Sequence, residues 1–537
     1  MAWLKWWSRP SSDWQAARAE EYKAWKDVNG SGRFTLRPSK TIGKLSFILL
    51  NQSDPVTELP VEDVLGLSYE TVTDPSQASG EYLVFLNGQT ELWTDALTRI
   101  AACLASQPDA LIAYFDTEVF DQSRKRRIPY FKPDYSPDLL LSSPYLQTPL
   151  VIRRSLYAKL EPLPITDPTF LWDLALKAVE KTHLISHFPT IVATVRADRL
   201  SPGGLHGLGG PNSGKEKRVL ADTLKRRGLN GTVKAGPIPG TYRIIYTSAG
   251  ALVTIIISTK DRHDLLSRCV DGILQNNDYK NWELIVVNNN SEQAETFAYF
   301  DKLRKNPQIR IIDYSKPFNI AAIFNMAAKE ARGDYLCFMG NDTEPISRDW
   351  LSRMVGYMQR PEVGVVGAKL LYPNNTIQHA GVVLGYGSAP DNSDRVAGHP
   401  YSQHPLHPGY FGVIELQRNC SAVTGAVTLT RRDAYLKVGG YNAQRLRMLF
   451  NDVDFCLKMR RAGYYNVYAP EVLLYHHERA SLGEVNVNFN IDPSEIRYMR
   501  DTWHHWEDND PFYNPNLTLD KQDYSLRLPP RPLKLNS

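Results

Sequence analysis

"GDYLCFMGNDTEP", residues 333–345, has a close copy in the same chain, "GEYLVFLNGQTEL", residues 80–92. Each begins on glycine, runs through tyrosine, leucine and phenylalanine, and closes on a Thr-Glu pair. An apolar, aromatic-rich run that stops on Gly/Asn/Asp letters is the pattern of a buried strand and the turn after it. The copies differ where chemistry notices: Asp342 of the later segment is Gln89 in the earlier one.

The echo extends outward. "VIRRSLY" (151–157) answers "TLTRRDAY" (428–435), "LWDLALK" (171–177) answers "DVDFCLK" (452–458), and "HFPTIVATVR" (187–196) answers "YAPEVLLYHH" (468–477). A chain of 537 residues exceeds one ordinary core. It reads as two related domains in tandem. In this alignment Asp342, Asp452 and His476 become Gln89, Leu171 and Val195. The groups lost are those able to bind a hard cation or take a proton. Open α/β sheets hold ligands at the carboxyl ends of their strands. Carboxylate plus imidazole there suits a divalent metal, and a further carboxylate suits general base work.

Alternation of apolar runs with amphipathic stretches predicts βα units around a mostly parallel sheet. "VTIIIS" (253–258), "ELIVVN" (283–288), "IRIIDY" (309–314) and "YLCFMG" (335–340) read as strands. Residues 264–274 and "AAIFNMAAKEA" read as helices. In the first half "LSFILLN", "YLVFLN" and "ALIAYF" read as the matching strands. "SPGGLHGLGGPNSGKEK" (201–217) reads as a linker that leads into a basic helix at about 215–227. Its Gly-x-x-Gly pattern neither follows a strand nor opens an evident helix, unlike a phosphate loop. The expected organisation is a Trp-rich helical arm (1–43), a first domain (44–200), a linker with the basic helix (201–250), a second domain (251–483) and a C-terminal extension (484–537).

Composition narrows the class. With 42% hydrophobic and 22% charged residues the chain is that of a soluble globular protein, and a net charge of +4 does not point to nucleic acid. The clusters "RKRR" (124–127) and "KRR" (225–227) read as solvated charge. Five cysteines without paired spacing form neither a disulfide framework nor a zinc motif. No apolar run approaches ~20 residues, and the N-terminus lacks a signal-peptide core, so a cytoplasmic location is expected. Trp3, Trp6 and Trp7 beside Lys5 and Arg9 suit either a membrane interface, peripheral on the inner face of the plasma membrane, or packing on the next domain.

Seven stretches in order carry a resemblance: "VTIIISTKDR", "IVVNNNS", "PFNIAAIFNMAAKEARGDYLCFMGNDTEP", "VGAKLLYPNNTIQHAGVVLG", "TGAVTLTRRDAYLKVGGYN", "FNDVDFCLKMRRAGYYNVYAPE" and "LYHHERAS". Roughly 252–483 resembles glycosyltransferase family 2, the inverting, nucleotide-sugar-dependent kind with the Rossmann-like GT-A fold. The first half resembles the upstream domain of two-domain bacterial members that build surface polysaccharide, rhamnosyltransferase-like proteins among them.

The resemblance implies a catalytic GT-A domain preceded by a degenerate, non-catalytic GT-A-like one. It implies that Asp342 binds a divalent cation (Mg²⁺ or Mn²⁺) on the donor diphosphate with Asn341 beside it. His476, or else His477, completes that site, and Asp452 is the base that deprotonates the acceptor. Thr259, Asp261 and Arg262 match the loop that holds the nucleoside, and Asn325 and Arg332 match donor-side positions. Asn288 stands where the family commonly has an Asp that reads the base. The implied donor is a UDP-, dTDP- or GDP-sugar, and the implied acceptor is a saccharide or lipid-linked saccharide. Two other readings stand beside this one. A sugar-phosphate nucleotidyltransferase would need a Gly-rich, Arg-containing loop where "STKDRHD" is. A carbohydrate-binding scaffold would not need the three groups that the second copy keeps.

Overall fold

The structure, a computed structural model, describes residues 12–29, 42–50, 59, 67–197, 213–248, 250–386, 395–477, 492–507 and 509–529. Trp3, Trp6, Trp7 and the glycine-rich stretch 201–212 lie outside the described residues. Among those described, no helix is long and apolar enough to cross a membrane.

In the first half the strands are β1 (Leu45–Leu49), β2 (Tyr69–Val72), β3 (Tyr82–Leu86), β4 (Thr90–Leu92), β5 (Ile112–Asp121), β6 (Arg126–Tyr130), β7 (Leu150–Arg153) and β8 (Ile185–Ala197). A hairpin of β9 (Gly231–Ala235) and β10 (Tyr242–Tyr246) follows. The second half holds β11 (Val253–Thr259), β12 (Trp282–Asn288), β13 (Ile309–Asp313), β14 (Tyr335–Gly340), β15 (Thr343–Pro345) and β16 (Val363–Leu371). It continues with β17 (Ile377–His379), β18 (Val383–Leu384), β19 (Ala397–Gly398), β20 (Arg418–Cys420), β21 (Val427–Arg431) and β22 (Tyr465–His476).

The two sheets have one plan. The first runs β2-β1-β3-β7-β5-β8-β4, with β6 on β5. The second runs β12-β11-β14-β21-β16-β22-β15, with β17 on β16, and adds β13 at its edge and β20 on β22. Directions agree as well: β1 is parallel to β2 and β3, as β11 is to β12 and β14, while β7 and β21 are antiparallel insertions. Register agrees to the residue. Tyr82 faces Arg153 as Tyr335 faces Arg431, and Thr90 faces Val195 as Thr343 faces His476. The sequence echo is therefore a structural repeat. In the second sheet β11 and β12 are almost wholly buried, which is why they read as unbroken β-branched runs rather than alternating ones.

The repeat also separates folding letters from chemical ones. Helix Phe170–Val179 matches helix Asn451–Arg461. In both, a buried Asp in the first turn holds a Lys one turn on: Asp173 with Lys177 and Asp454 with Lys458, each at 2.8 Å. That pair survives, whereas Asp452, two residues before Asp454, has become Leu171.

The basic helix expected at about 215–227 is present as Ser213–Arg226, and residues 213–248 pack against both halves. Helix Ser213–Arg226 is amphipathic, with Val219, Leu220 and Leu224 buried. The Tyr242 ring lies 5.7 Å from Trp172 of the first half, and the Ile244 N–H donates to Gln417 of the second at 2.8 Å. One apolar core passes from Leu83 and Trp172 through Tyr242 to Val253 and Trp350. Across the seam the buried Arg360 guanidinium meets the Asp138 carboxylate at 2.8 Å, and the Asn419 amide donates to the other Asp138 oxygen. Asp138 is thus bonded on both oxygens, as a buried charge must be.

The C-terminal segment straps both halves together. The Asp510 carboxylate accepts from Ser421 and from the Leu384 N–H, while the Asn514 amide donates to both Asp116 oxygens. Asp116 also takes the buried His187 ring at 3.0 Å, whose other nitrogen meets Asp134 at 2.9 Å. Burial disfavours charge on His187, but the two carboxylates outweigh it and push the ring up to about 9.

A raised histidine pKa adds stability that is fully present below the unfolded value near 6.5 and lost as pH rises through about 9. Burial drives Lys132 down to about 7, which gives an opposite slope at higher pH, so the test is a difference between proteins. The stability gap between wild type and His187→Gln is expected to narrow by roughly 3 kcal/mol from pH 6 to pH 10. A gap that is constant in denaturant melts across that range would show that His187 is held neutral.

Candidate functional site

The loop after β11 turns back sharply because Asp261 and Arg262 are both left-handed, with φ of 53° and 49°. Asp261 secures the turn: its N–H donates to Ser291 Oγ, and its carboxylate accepts the Glu292 and Gln293 N–H groups at 2.7 and 2.8 Å. Those donors stand at the start of helix Ala294–Leu303, where an acidic group is favoured. Arg262 pairs with Asp264 at 2.9 Å, and the field of Asp342 also reaches it. Thr259 Oγ1 donates to the Asp261 carbonyl and accepts from the Asn341 amide at 3.1 Å, which ties this loop to the one after β14.

Thr259, Asn288 and Asp313 form a row across the carboxyl ends of β11, β12 and β13. Where an Asp would offer two acceptor oxygens to a base, Asn288 has one, its amide carbonyl oxygen. That oxygen already accepts the Ser291 N–H, and its NH₂ donates to Asp313 at 2.8 Å. The exposed carboxylate of the row belongs to Asp313, which sequence reading passed over. Its position as the last letter of a strand was the available signal.

Beyond β14 the chain bends through Gly340 to Asp342. A Cβ on Gly340 would sit 2.6 Å from Asp342 Oδ1, so a larger residue there would push the Asp342 side chain aside. Pairing of β15 with β22 brings Asp342 Oδ1 within 3.4 Å of His476 Nε2, each side chain 13% exposed. Burial penalises the Asp342 charge, but the hydrogen bond and charge of His476 overcome it, leaving the carboxyl below its usual range. His477 points to the other face of its strand. It meets Glu344 at 2.9 Å and Arg268 at 3.2 Å, so His476 is the histidine that shares the Asp342 site.

Asp452 lies in the first turn of helix Asn451–Arg461, two residues past Phe450, the left-handed cap. Its carboxylate accepts the Gly425 N–H at 2.7 Å. The next residue, Ala426, accepts the Gly340 N–H through its carbonyl at 2.9 Å. Asp452 and Asp342 are therefore linked through one short segment, residues 424–426.

Two expected donor-side residues are placed elsewhere. Asn325 accepts from the Tyr435 hydroxyl and the Tyr441 N–H and donates to the Tyr441 carbonyl, so it holds the turn around Gly440. Arg332 precedes β14 and pairs with Glu283 at 2.5 Å at the amino ends of the strands. Six strand residues at ~3.3 Å each separate it from the edge where Asp342 stands.

Among the described residues no group of three or more His, Cys, Asp or Glu side chains is placed to hold a metal ion. The Asp342–His476 pair still suits a hard divalent ion whose remaining ligands come from phosphate oxygens and water. The ring nitrogen that faces Asp342 is Nε2, so Nε2 and the carboxylate are the atoms this pair would offer an ion.

Amide, acid and imidazole groups thus lie at the carboxyl ends of the strands of an α/β sheet, where such sheets hold ligands. Residues 254–439 match the family model for glycosyl transferase family 2, so this part of the chain is a family 2 domain. The chain is 36% identical over 464 residues to the uncharacterized protein y4gI of Sinorhizobium fredii, a match that covers 84% of this chain and 50% of that one. It is 35% identical over 458 residues to the O-antigen biosynthesis protein RfbC of Myxococcus xanthus, covering 84% and 35%. The chain thus spans about half or less of the length of these curated relatives. A mannosyltransferase from Pyrobaculum calidifontis, solved with GDP-Man and Mn²⁺, superposes at a TM-score of 0.30 with 17% identity, covering 42% of this chain and 56% of that one.

Proposed function

We propose that the chain is an inverting glycosyltransferase that moves a sugar from a nucleotide-sugar to a saccharide or lipid-linked saccharide in bacterial surface polysaccharide synthesis, at the cytoplasmic face. The observation that carries this is the Asp342–His476 pair together with Asp452 on Gly425, whose neighbour Ala426 is bonded to Gly340 two residues before Asp342. The first sheet, built on the same plan, has Gln89, Val195 and Leu171 at those positions.

The nucleoside lies along the Thr259–Asn288–Asp313 row, and the diphosphate lies toward Asp342. Asp342 and His476 hold the divalent cation, which when bound stabilises the charge that develops on the leaving nucleoside diphosphate. Asp452 takes the proton of an acceptor hydroxyl. That oxygen bonds to the anomeric carbon from the face opposite the phosphate, whose C–O bond breaks with its electron pair passing to the diphosphate. Configuration inverts. The first domain, lacking all three groups, packs against the second and does no chemistry.

Thermal melts with UDP-glucose, dTDP-rhamnose and GDP-mannose, each with Mn²⁺, Mg²⁺ or EDTA, test the reading. One donor at about 100 times its Kd is expected to add ~2.7 kcal/mol of stability, and only with metal. If no nucleotide-sugar raises the melt, or EDTA leaves the rise intact, the donor-and-cation reading fails.

A further inference from the structure

We propose that His379 is a positioning residue for the Asp452 base: it grips the backbone of residues 424–426 so that the Gly425 N–H meets the Asp452 carboxylate. The inference rests on the proposed role of Asp452.

His379 ends β17 and is fully buried. Its Nε2 lies 3.2 Å from the Gly381 N–H and 3.4 Å from the Thr424 N–H, so it accepts both and carries no proton. The ring proton is then on Nδ1 and is donated to His399 Nδ1 at 2.8 Å, which fixes the tautomer. The ring has little freedom to shift. Tyr468 meets it edge-on, and Gly381, at φ 89°, is pressed so close that a Cβ would be 2.8 Å from Arg418 and Cys420. Burial first, and then His399, hold the imidazole well below the ordinary histidine range, which keeps it an acceptor at neutral pH.

Three consecutive residues therefore carry three anchors: Thr424 to His379, Gly425 to Asp452, and Ala426 to Gly340. Gly425 leaves no slack, since a Cβ there would lie 3.1 Å from that of Asp452. A displaced Thr424 N–H would move the group that orients the base, and misplacements of about 1 Å can cost ~10²-fold in rate.

The repeat supplies an independent observation. His379 faces Leu370 of β16, which faces Leu474 of β22. In the first sheet Tyr130 faces Thr117 of β5, which faces Ala193 of β8, the counterpart of Leu474. Tyr130 thus holds the register position of His379. The copy that has no acid at 171 has no imidazole here either.

Hydrogen exchange of the Thr424 and Gly425 amides reads the grip without substrate, and release of nucleoside diphosphate from the same three donors with Mn²⁺ reads its effect. His379→Leu is expected to speed exchange at both amides by 10-fold or more. It should also lower kcat by roughly 10–100-fold with donor KM within about two-fold. His379→Gln, whose amide oxygen reaches the place of Nε2, should restore most of both. In an Asp452→Asn background the leucine change should cost less than about three-fold, because the two act as a unit. If the leucine variant does not fold, His379→Asn, too short to reach Thr424, takes its place. Unchanged exchange, failure of glutamine to rescue, or an equal cost in both backgrounds overturns the proposal. A wild-type rate for Asp452→Asn alone overturns the base assignment first, and this inference with it.

Discussion

Asp452→Asn is expected to lower kcat by about two orders of magnitude or more, the usual share of general base catalysis, while donor affinity changes by less than about two-fold. The asparagine oxygen can still accept the Gly425 N–H that Asp452 accepts, so the substitution removes the charge and keeps the fold. Single-turnover release of nucleoside diphosphate, beside nucleotide binding by calorimetry, separates the two effects. Transfer at the wild-type rate would leave Asp452 a helix-turn residue whose only work is to hold Gly425.

Asp342→Ala should be as severe by a different route. A cation that neutralises a leaving diphosphate is worth several kcal/mol, so losing its carboxylate ligand should cut kcat/KM by roughly 100-fold or more, with metal-dependent donor binding weakened in parallel. His476→Ala is expected to act in the same direction. Restoring Asp at Gln89 should recover nothing, because Val195 and Leu171 still stand where an imidazole and a base are needed. Wild-type activity that is unchanged in excess chelator would remove the metal from the mechanism. Activity that survives Asp342 and Asp452 double substitution would place a working site in the first domain.

Much of this was legible because a repeat lets one half of the chain serve as the control for the other. The alignment of Asp342 with Gln89 and of His476 with Val195 is reproduced by strand register, since a one-residue slip would turn every side chain to the wrong face. Asp452 was legible for a similar reason, because its helix keeps the neighbouring Asp–Lys pair in both copies.

Less was legible where sequence does not say which end of a strand a residue occupies, or which partner claims its polar atoms. Arg332 borders the same strand as Asp342 but at the far end, where Glu283 takes it. Asn325 has the letters of a ligand and the bonds of a turn clasp. The choice between His476 and His477 needed the alternation of the strand against a known partner face. The helix at about 215–227 was legible, but its segment's packing against surfaces from both halves is something no local pattern reveals. His379 and Tyr130 share a register position with no similarity in the letters around them, so only the sheet could pair them.

The strap that joins Asn514 to Asp116 has a consequence in time. The first sheet ends at Ala197, 317 residues before Asn514, and ribosomes add ~5–20 residues per second, so the finished sheet waits roughly 16–63 s for the amide that completes its buried carboxylate. During that interval Asp116 has His187 and the Lys132 N–H but not its third donor, and the groove later filled by residues 509–517 stands open. The early half of the nascent chain is therefore the half that folding helpers have longest to meet, and a message cut short before codon 514 would leave the halves joined by the core and the Arg360–Asp138 pair but Asp116 without its third donor.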